Sequence, residues 1–458
     1  MGCMPNYVTE TMRGLTLPVQ KAVDPKWSTE LKKVNAKVGA CIKYQNGISS
    51  SMPGQISPEL PFMWKKDYLS NPPTPYFEPG TAPVIPAAAP APKPPAAPAA
   101  EVVQEAAKEP TSAEPPTASQ PPAAAPLPNL PRGKIAQQDY RKCWEDHTFC
   151  FVYGTLTGSN TPGIERELEW YGAVTDAEMK RWAYTCRKGH KGAVDNTPNQ
   201  DNFSMAHFKN GWRMLCCMDG HGPFGQLVAT TAVQSLPYLV ALSNFEAADI
   251  PKVLTHAFEE VHFNVEATAL VDQWSTETSG CTAVATLWKG NQVYIAHVGD
   301  SRCVIGSKSQ ILHESADHKP SNAVEKQRIE ENGGEIHTEV YPDGWTEHRI
   351  FVKGTDKPGL SMSRSIGDQI VKPIGVMPTP EVRKVEIRRE DEPFMVLASD
   401  GVWEFLTSET VVKAATSTLR GRGVQQTVQD LYEAAKQCWH NAESDYCDDI
   451  TAILVEFE

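Results

Sequence analysis

The sequence lacks a long apolar run, a paired-cysteine motif and an excess of basic charge. No stretch approaches the roughly 20 consecutive apolar residues that a membrane-spanning helix requires. The 11 cysteines are an odd number and contain no CxxC pair, which is typical of reduced thiols rather than of a disulfide framework. The formal net charge of −13 argues against nucleic-acid binding. These absences favour a cytoplasmic protein with a buried core.

Proline and alanine divide the chain into parts. Residues 71–133 are Pro/Ala-rich, as in PVIPAAAPAPKPPAAPAA, and bury too little apolar surface to offset chain entropy, so we expect a disordered, extended linker. A Pro-rich protein-docking segment is the alternative. Residues 1–70 are polar and irregular, whereas residues 134–458 have the mixed periodicity of a globular domain. Within that domain, residues 137–185 are rich in Trp and Tyr and predict a folded extension.

The N-terminus carries a separate signal. Gly2 and Cys3 follow the first methionine, as in a myristoylated and palmitoylated protein, although Asn6 stands where Ser or Thr is usual. The first 50 residues contain more Lys and Arg than Asp and Glu, and a basic patch strengthens the membrane binding of an acyl chain. We therefore expect acylation at Gly2 and Cys3 and peripheral attachment to the cytoplasmic face of a membrane. An unmodified, solvated tail is the alternative.

Four acidic motifs stand at the ends of apolar runs that predict strands. They are CCMDGHG at Asp219, HVGDSR at Asp300, LASDG at Asp400, and DDIT at Asp448 and Asp449. Strand ends are where a rigid scaffold presents side chains to a site. Carboxylates brought together cannot all stay ionised without positive charge between them, and oxygen ligands without a His/Cys cluster favour Mg²⁺ or Mn²⁺ over zinc. The motifs therefore predict a metal-dependent hydrolase.

The hydrophobic periodicity predicts alternating hairpins and long helices. The segment CTAVATLWKGNQVYIAHVGDSRCVIG predicts three strands with turns at KGN and GD. Helical patterns occur in QLVATTAVQSLPYLVAL, PKVLTHAFEEVHFNVEATAL and TVQDLYEAAKQCWHNAE. Antiparallel hairpins with long helices outside them suggest two stacked sheets flanked by helices.

Each motif alone is weak, because a DG pair after a strand is usually only a turn. The ordered set DGHG, SGCTA, GDSR, DHKP, LSMSRSIGD, PEV, LASDGVW and DDIT resembles the metal-dependent protein phosphatases of the protein phosphatase 2C family, over residues 187–456. The Gln200-Asp201 pair resembles the form seen in plant and protist members. The resemblance implies an α+β fold, a four-layer α-β-β-α sandwich of two antiparallel sheets flanked by helices, preceded here by a disordered N-terminal region.

The resemblance also implies a binuclear centre of Mg²⁺ or Mn²⁺, with a third, weaker ion. Asp300 resembles the ligand of that third ion, and Asp368 resembles a residue that lines the site. Asp449 stands where Asn is usual, and the order of the motif favours Asp448 as the ligand. The implied metal ligands are Asp219, Gly220 through its carbonyl oxygen, Asp400, Asp448, Asp300 and Asp201.

The chemistry explains why such residues are needed. A phosphomonoester dianion repels hydroxide, so its hydrolysis needs charge neutralisation and a nucleophile at neutral pH, and two divalent ions supply both. A Ser or Thr alkoxide is a poor leaving group and needs a proton. His221, two residues after Asp219, resembles the general acid of the family. We therefore predict Asp219 and His221 as catalytic residues and phosphorylated proteins as substrates.

The first family motif departs most from its usual form. In RKGHKGAVDNTPNQDNF about four extra residues precede the Gln-Asp pair, so the residue that binds the substrate phosphate could be Lys191, Arg187 or Lys188. Lys191 is favoured because it precedes a glycine, in the same Lys-Gly context as the basic residue of the family motif. Lysine is a point charge where arginine would bind bidentately, and Gln200 hydrogen-bonds water without adding charge.

Residues 337–365 resemble the flap beside the active site, and their Gly, Asp and Pro content predicts a mobile loop. Two functions compete: an active serine/threonine phosphatase, and a pseudophosphatase that uses the same fold as a binding module. Asp219, Asp400, Asp448 and His221 are all present, which favours the enzyme. A hydrolase of small phosphorylated metabolites is a third reading that would need a closed pocket. We expect a monomer.

Overall fold

The computed structural model describes residues 130–156, 160–173, 181–192, 195–247, 249–341, 346–443 and 445–457. The predicted acylated tail, and most of the predicted linker, lie outside the described residues. The helices are α1 (Gln137–His147), α2 (Gly225–Leu242), α3 (Ile250–Asp272), α4 (Ala323–Glu331), α5 (Asp400–Trp403) and α6 (Ser408–Glu443).

The strands alternate with these helices along the chain. The first ten are β1 (Thr148–Gly154), β2 (Leu168–Gly172), β3 (Trp182–Arg187), β4 (His190–Lys191), β5 (Asn202–Phe208), β6 (Arg213–Met218), β7 (Gly220–His221), β8 (Gly280–Cys281), β9 (Ala283–Lys289) and β10 (Gln292–Val298). The others are β11 (Arg302–Ser307), β12 (Gln310–Glu314), β13 (Gly334–Val340), β14 (Thr346–Val352), β15 (Pro358–Leu360), β16 (Ile366–Gly367), β17 (Glu381–Glu386), β18 (Phe394–Ala398), β19 (Tyr446–Cys447) and β20 (Ile450–Glu456).

Two antiparallel sheets form the centre. The larger has seven strands in the order β17-β10-β9-β6-β5-β1-β2, and the smaller has five in the order β12-β11-β18-β20-β3. The β9–β10 hairpin turns at Gly290, whose φ of +58° suits a residue without a Cβ. Near-continuous apolar runs in β6, β9, β18 and β20 place these strands between other layers, because both of their faces are buried.

Apolar side chains from both sheets meet between them. Leu215 and Val284 of the larger sheet and Ile305, Leu397 and Ile453 of the smaller belong to one buried cluster. Burying each such side chain contributes about 1.5–3 kcal/mol. This cluster holds the two sheets face to face.

Helices cover the outer faces of both sheets. Helices α2 and α3 pack on the larger sheet through residues such as Val233 and Phe258, and α6 packs on the smaller sheet through residues such as Val412 and Leu431. The predicted four-layer α-β-β-α sandwich is therefore confirmed. None of the described helices combines the length and the apolar character needed to cross a bilayer.

The prediction of a mobile loop at residues 337–365 is wrong, because the segment contains regular strands. Strands β13, β14 and β15 form a three-stranded antiparallel sheet there. Ile336 pairs with Ile350 in register, His337 stacks on Phe351 at 4.5 Å between ring centroids, and Ile350 and Leu360 enter a small apolar cluster. Turn residues dominate the composition of the segment, but alternating apolar side chains between them pair the strands. Trp345 lies outside the described residues.

The described chain begins along α3. Leu130 is buried, the Arg132 guanidinium binds the Glu260 carboxylate with a closest distance of 2.7 Å, and the Gly133 N–H donates to Asn264 Oδ1 at 3.1 Å. Lys134 then pairs with Asp272. Residues 130–133, which composition assigned to the linker, therefore contact the helical layer.

The described residues between 137 and 185 pack against the domain through their aromatic side chains. Trp144 stacks on Phe151 at 3.8 Å between ring centroids, and Tyr140 meets Tyr238 of α2 edge-on at 5.2 Å. The Tyr140 hydroxyl also lies 2.7 Å from Ser235 Oγ. Aromatic contacts of this kind join α1 and β1 to α2.

Candidate metal centre

Antiparallel pairing brings the acidic motifs to one edge of the two sheets. Asp219 directly follows β6, and Asp201 directly precedes β5. The last residue of β6 pairs with the first residue of β5, so the two carboxylates are neighbours. Asp400 follows β18, whose end pairs with the start of β11, just after Asp300. The same end of β18 pairs with the start of β20, just after Asp448. Strand ends and starts coincide in an antiparallel sheet, so register brings Asp201 to Asp219 in the larger sheet and Asp300 and Asp448 to Asp400 in the smaller. The packing of the two sheets on each other then joins the two groups.

The carboxylates of this edge repel one another in a buried setting. Burial, followed by the charges of neighbouring carboxylates, raises the pKa of Asp219 well above its ordinary value. Burial and the Asp448 charge do the same to the pKa of Asp400. Burial and the Asp449 charge raise the pKa of Asp201 to about 7. The carboxylates that act on Asp219 are those of Asp400, Asp201, Asp448 and Asp300.

Two lysines supply positive charge to the cluster. Lys191 Nζ lies 2.7 Å from Asp448 Oδ1, and the Lys319 ammonium is ion-paired with Asp300 Oδ2. Burial disfavours both ammonium ions, yet the adjacent carboxylates prevail and raise the pKa of each lysine. Lys319 was not predicted as a site residue, although it stands in the DHKP motif that contributed to the family resemblance.

The donor set fits a hard divalent cation. Among the described residues no three Asp, Glu, His or Cys side chains are already drawn together as a metal-binding group, and the lysines contact two of the carboxylates instead. However, the predicted ligands are all oxygen donors, which Mg²⁺ and Mn²⁺ prefer. Asp300 Oδ1 is buried and has no hydrogen-bond partner. Raised carboxylate pKa values with an unpartnered oxygen are what a cation would relieve.

Gly220, which follows Asp219, is closely packed by backbone. Its N–H donates to the Gln200 carbonyl at 3.2 Å, and an added Cβ would lie 2.4 Å from the Gly225 carbonyl oxygen. A side chain at this position would therefore displace the backbone that follows Asp219.

Asp448 and Asp449 differ in their surroundings despite being adjacent. The two oxygens of Asp449 accept the backbone N–H groups of Gly189 at 2.7 Å and of Gln200 at 2.8 Å. Lys188 Nζ also lies 3.4 Å from Asp449 Oδ1. Asp449 thus ties together two backbone segments, and its charge acts on Asp201. Asp448, which the sequence order favours, is the one of the pair whose charge acts on Asp219 and Asp400.

The three candidate phosphate-binding residues lie in different places. Arg187 binds Glu165 at 2.8 Å and lies over the Tyr432 ring. Lys188 is buried and binds Asp195 Oδ2 at 2.8 Å. Lys191 alone of the three is at the carboxylate cluster, and 18% of its side chain is exposed. Only Lys191 therefore lies where it could meet a phosphate bound at the cluster.

The side chains of Gln200 and Asp201 each hydrogen-bond to a neighbouring element. The Gln200 amide donates to the Gly222 carbonyl at 2.7 Å and to Gln226 Oε1 at 3.2 Å, so it holds the loop after β7. Asp201 Oδ2 accepts the hydroxyl hydrogen of Ser399 at 2.6 Å, which links the starts of β5 and α5. Ser399 was not predicted as a site residue.

His221 lies beside the cluster and contacts Asp368. Its Nε2 is 2.8 Å from Asp368 Oδ2, whereas its Nδ1 is buried and has no hydrogen-bond partner. The structure therefore places both predicted residues together. Sequence spacing gave no sign of this contact, since 147 positions separate the two residues.

Comparisons with known proteins give the family of this chain. The sequence profile described as Protein phosphatase 2C matches residues 175–449, more than half of the chain. The chain is 34% identical over 189 residues to a probable protein phosphatase of Drosophila melanogaster, covering 39% of this chain and 26% of that protein. It is 33% identical over 312 residues to Protein phosphatase 2C homolog 3 of Schizosaccharomyces pombe, covering 66% of each chain.

A solved structure gives a further match. It is the serine-threonine phosphatase 2C from Toxoplasma gondii, with 21% sequence identity and a TM-score of 0.49, covering 61% of this chain and 95% of that one. The chain spans between about a quarter and two thirds of the length of the fruit fly and fission yeast relatives.

Proposed function

Because the chain belongs to the protein phosphatase 2C family, we propose that it is a metal-dependent protein serine/threonine phosphatase that hydrolyses phosphoserine and phosphothreonine. One observation carries the proposal: register brings Asp400 and Asp448 together in the smaller sheet, and the packing of the sheets brings both carboxylates near Asp219 of the larger sheet, with His221 two residues further on. The relatives named above are also called protein phosphatases.

The carboxylates would hold two Mg²⁺ or Mn²⁺ ions, and Asp300 a third. Asp219, Asp400, Asp448 and the Gly220 carbonyl form the oxygen-donor set for the first two. Bound ions of this kind supply charge neutralisation and a hydroxide nucleophile at neutral pH. Lys319 balances the charge of Asp300 from the other side.

Lys191 and His221 would act on the substrate itself. The Lys191 ammonium is partly exposed at the cluster and can attract a phosphate dianion as a point charge. His221, whose Nε2 contacts Asp368, would give a proton to the departing Ser or Thr oxygen. The alkoxide needs that proton to leave.

The test is hydrolysis of a phosphothreonine peptide by the purified full chain, with Mn²⁺, with Mg²⁺ and with a chelator. Phosphate release that requires the metal and disappears in Asp219→Ala would support the proposal. A folded, metal-supplied chain that releases no phosphate but binds the phosphopeptide would instead support the pseudophosphatase, a binding module.

We also propose that Gly2 and Cys3 are acylated and hold the enzyme at the cytoplasmic face of a membrane. The support is the sequence alone: the N-terminal Gly-Cys pair and the basic composition of the first 50 residues. Gly2→Ala should move the protein from the membrane fraction to the soluble fraction, whereas Gly14→Ala, a matched change, should not. Unchanged fractionation of Gly2→Ala would rule out the myristoyl anchor.

A further inference from the structure

Asp368 is held in a restricted conformation next to His221. It follows β16 directly, with φ 50° and ψ 54° in the left-handed region, where a residue with a side chain is uncommon. Its side chain is buried, and its N–H donates to the Ser279 carbonyl at 2.9 Å. Backbone contacts therefore fix the point from which its carboxylate reaches out.

Gly280 leaves space for the contact between the Asp368 carboxylate and the His221 imidazole. In the small sheet β16-β8-β7, Gly280 pairs with His221 on one side and with Gly367 on the other. A Cβ added at Gly280 would lie 2.1 Å from Asp368 Oδ2. Because the central strand has no side chain here, the carboxylate crosses it and meets His221 Nε2 at 2.8 Å.

Two further side chains, Ser365 and Lys372, hold the Asp368 carboxylate in the slot, which is the space over Gly280. Ser365 Oγ donates to Asp368 Oδ2 at 2.6 Å, the same oxygen that contacts His221. Lys372 Nζ in turn donates to the Ser365 carbonyl at 2.7 Å and lies 3.0 Å from Ser365 Oγ. The contacts form a chain: Lys372, Ser365, Asp368, His221.

Charge accompanies this chain of contacts. Burial disfavours the charged Asp368 carboxylate, but His221, Lys372 and Ser365 together lower its pKa below the ordinary value. Burial lowers the pKa of Lys372 to about 8, against the opposing effect of the Asp368 charge. Asp368 is thus an ionised acceptor whose rotation is restricted by the Ser365 hydroxyl.

We propose that Ser365 and Lys372 are positioning residues for proton delivery: they fix the Asp368 carboxylate and, through it, the orientation of the His221 imidazole toward the leaving group. This inference rests on the proposed phosphatase function. Neither residue lies among the predicted metal ligands, and each acts through another side chain. Loss of either hydrogen bond would leave Asp368 free to rotate within the slot and the imidazole without a fixed partner.

Substrates with different leaving groups separate positioning from a general structural role. A phosphothreonine peptide releases an alkoxide that needs a proton, whereas p-nitrophenyl phosphate releases a phenolate that leaves without one. A general acid contributes about 10²- to 10⁴-fold, so Ser365→Ala and Lys372→Met should each lower kcat for the peptide by about 10-fold or more. With p-nitrophenyl phosphate, kcat should stay within about twofold of the wild-type value, and KM should change little for either substrate.

Ser363→Ala is the matched control. Ser363 is as buried as Ser365 and stands in the same segment, but its hydroxyl donates to Glu325 Oε2 at 2.6 Å and not to Asp368. It should show no selective loss on the peptide. Thermal denaturation of all variants checks that they fold, and if Lys372→Met does not, Ser365→Ala still carries the test.

A second arm uses His221→Ala as the background. If Ser365 acts through the imidazole, adding Ser365→Ala to His221→Ala should cause no further loss on the peptide, because effects in one chain are not additive. Equal slowing of both substrates by Ser365→Ala, or full additivity with His221→Ala, would overturn the positioning role of Ser365 and Lys372 while the phosphatase proposal stands. A wild-type chain inactive on both substrates would overturn the phosphatase proposal, and the positioning role with it.

Discussion

The strands of the sandwich have two contrasting ends. At one end, Asp201 is buried, Asp219 and Asp400 are half-buried, and the pKa values of all three carboxyl groups are raised. At the other end, aromatic residues of both sheets, Trp182 and Trp288 among them, line an apolar pocket. Strand β6 connects the two, because it begins at the pocket with Arg213 and ends next to Asp219.

The contrast separates chemistry from stability. Desolvated like charges destabilise the folded chain, whereas large aromatic side chains at the opposite end stabilise it by burial. The interior cluster between the sheets lies between the two ends and holds the carboxylates at fixed positions. A site of this kind can exist because its cost in stability is offset elsewhere along the same strands.

The largest expected effect is at the carboxylate end. Asp219→Ala should lower metal-dependent turnover by about 10³-fold or more, since metal-assisted charge stabilisation is worth several kcal/mol. Relief of repulsion among the remaining carboxylates should leave the unfolding free energy in chelator no lower than that of the wild type. Steady-state kinetics and urea denaturation test both parts.

Asp430→Asn is the control for that change. Asp430 is buried and pairs with Arg422 in α6 rather than with the carboxylate cluster. It should lower stability without lowering turnover per folded molecule. Near-wild-type turnover of Asp219→Ala would show that the carboxylate end is not the catalytic end.

Two adjacent residues should separate the same two properties. Asp448→Ala should abolish most metal-dependent turnover, because this carboxylate joins the cluster. Asp449→Ala should instead lower the unfolding free energy by about 2 kcal/mol or more, since it leaves two backbone N–H groups without their acceptor. Kinetics and urea denaturation of both variants would show the split, and the reverse pattern would exchange their roles.

At the aromatic end the expectation reverses. Trp288 is 4% exposed and meets Phe457 edge-on at 6.2 Å between ring centroids. Trp288→Ala should lower the unfolding free energy by about 3–5 kcal/mol and leave kcat close to the wild-type value. Phe149→Ala, at a residue that is 55% exposed, should change little. If Trp288→Ala lowered kcat without lowering stability, the aromatic end would not be the stabilising end of the strands.

The smallest effect is in the pH dependence of the metal-free chain. The pKa of Asp201 is raised to about 7 in the folded state, above its value in the unfolded chain, so the folded state binds a proton that the unfolded chain has released. Stability in chelator should therefore fall as the pH rises toward 7, and Asp219 and Asp400 shift in the same direction. Thermal denaturation between about pH 5 and 7.5 should show a decline of a few degrees.

Asp201→Asn should flatten that pH profile because one of the titrating carboxyl groups is removed. A matched profile in saturating Mg²⁺ should also be flatter, since a bound cation favours the ionised carboxylates. A metal-free midpoint that rises over this pH range would contradict the sign of the carboxylate pKa shifts.

The layers of the fold could be predicted from sequence because their signals are local. An apolar run ending in Asp219 predicts a strand, and the 3.6-residue pattern of α2 and α3 predicts helices. The segment at residues 337–365 was predicted wrongly, because its turn residues suggested a loop, whereas apolar residues between them, such as Ile350 and Leu360, pair in a sheet.

The contacts of the site could be predicted only in part. The family resemblance named the carboxylates and His221, but the partners that hold them come from distant positions. Lys319 meets Asp300, Ser399 meets Asp201, and Gly280 clears the path for Asp368. These contacts depend on strand register, and a single sequence does not specify how a glycine in one strand accommodates a carboxylate from another.

The contact of residues 130–134 with α3 has a consequence for how the chain can be shortened. A protein cut at residue 134, where composition alone places the domain boundary, would lose the buried Leu130 side chain and the Arg132–Glu260 pair. Glu260 is almost fully buried, so the cut would leave its charge with His256 at 3.8 Å as its nearest remaining partner. Helix α3 also carries His262, whose Nδ1 accepts the N–H of Gly367, the residue before Asp368. Proteolysis just after Arg132 would therefore loosen the helix that supports the proton-delivery side of the site, so a recombinant fragment should begin upstream of Leu130.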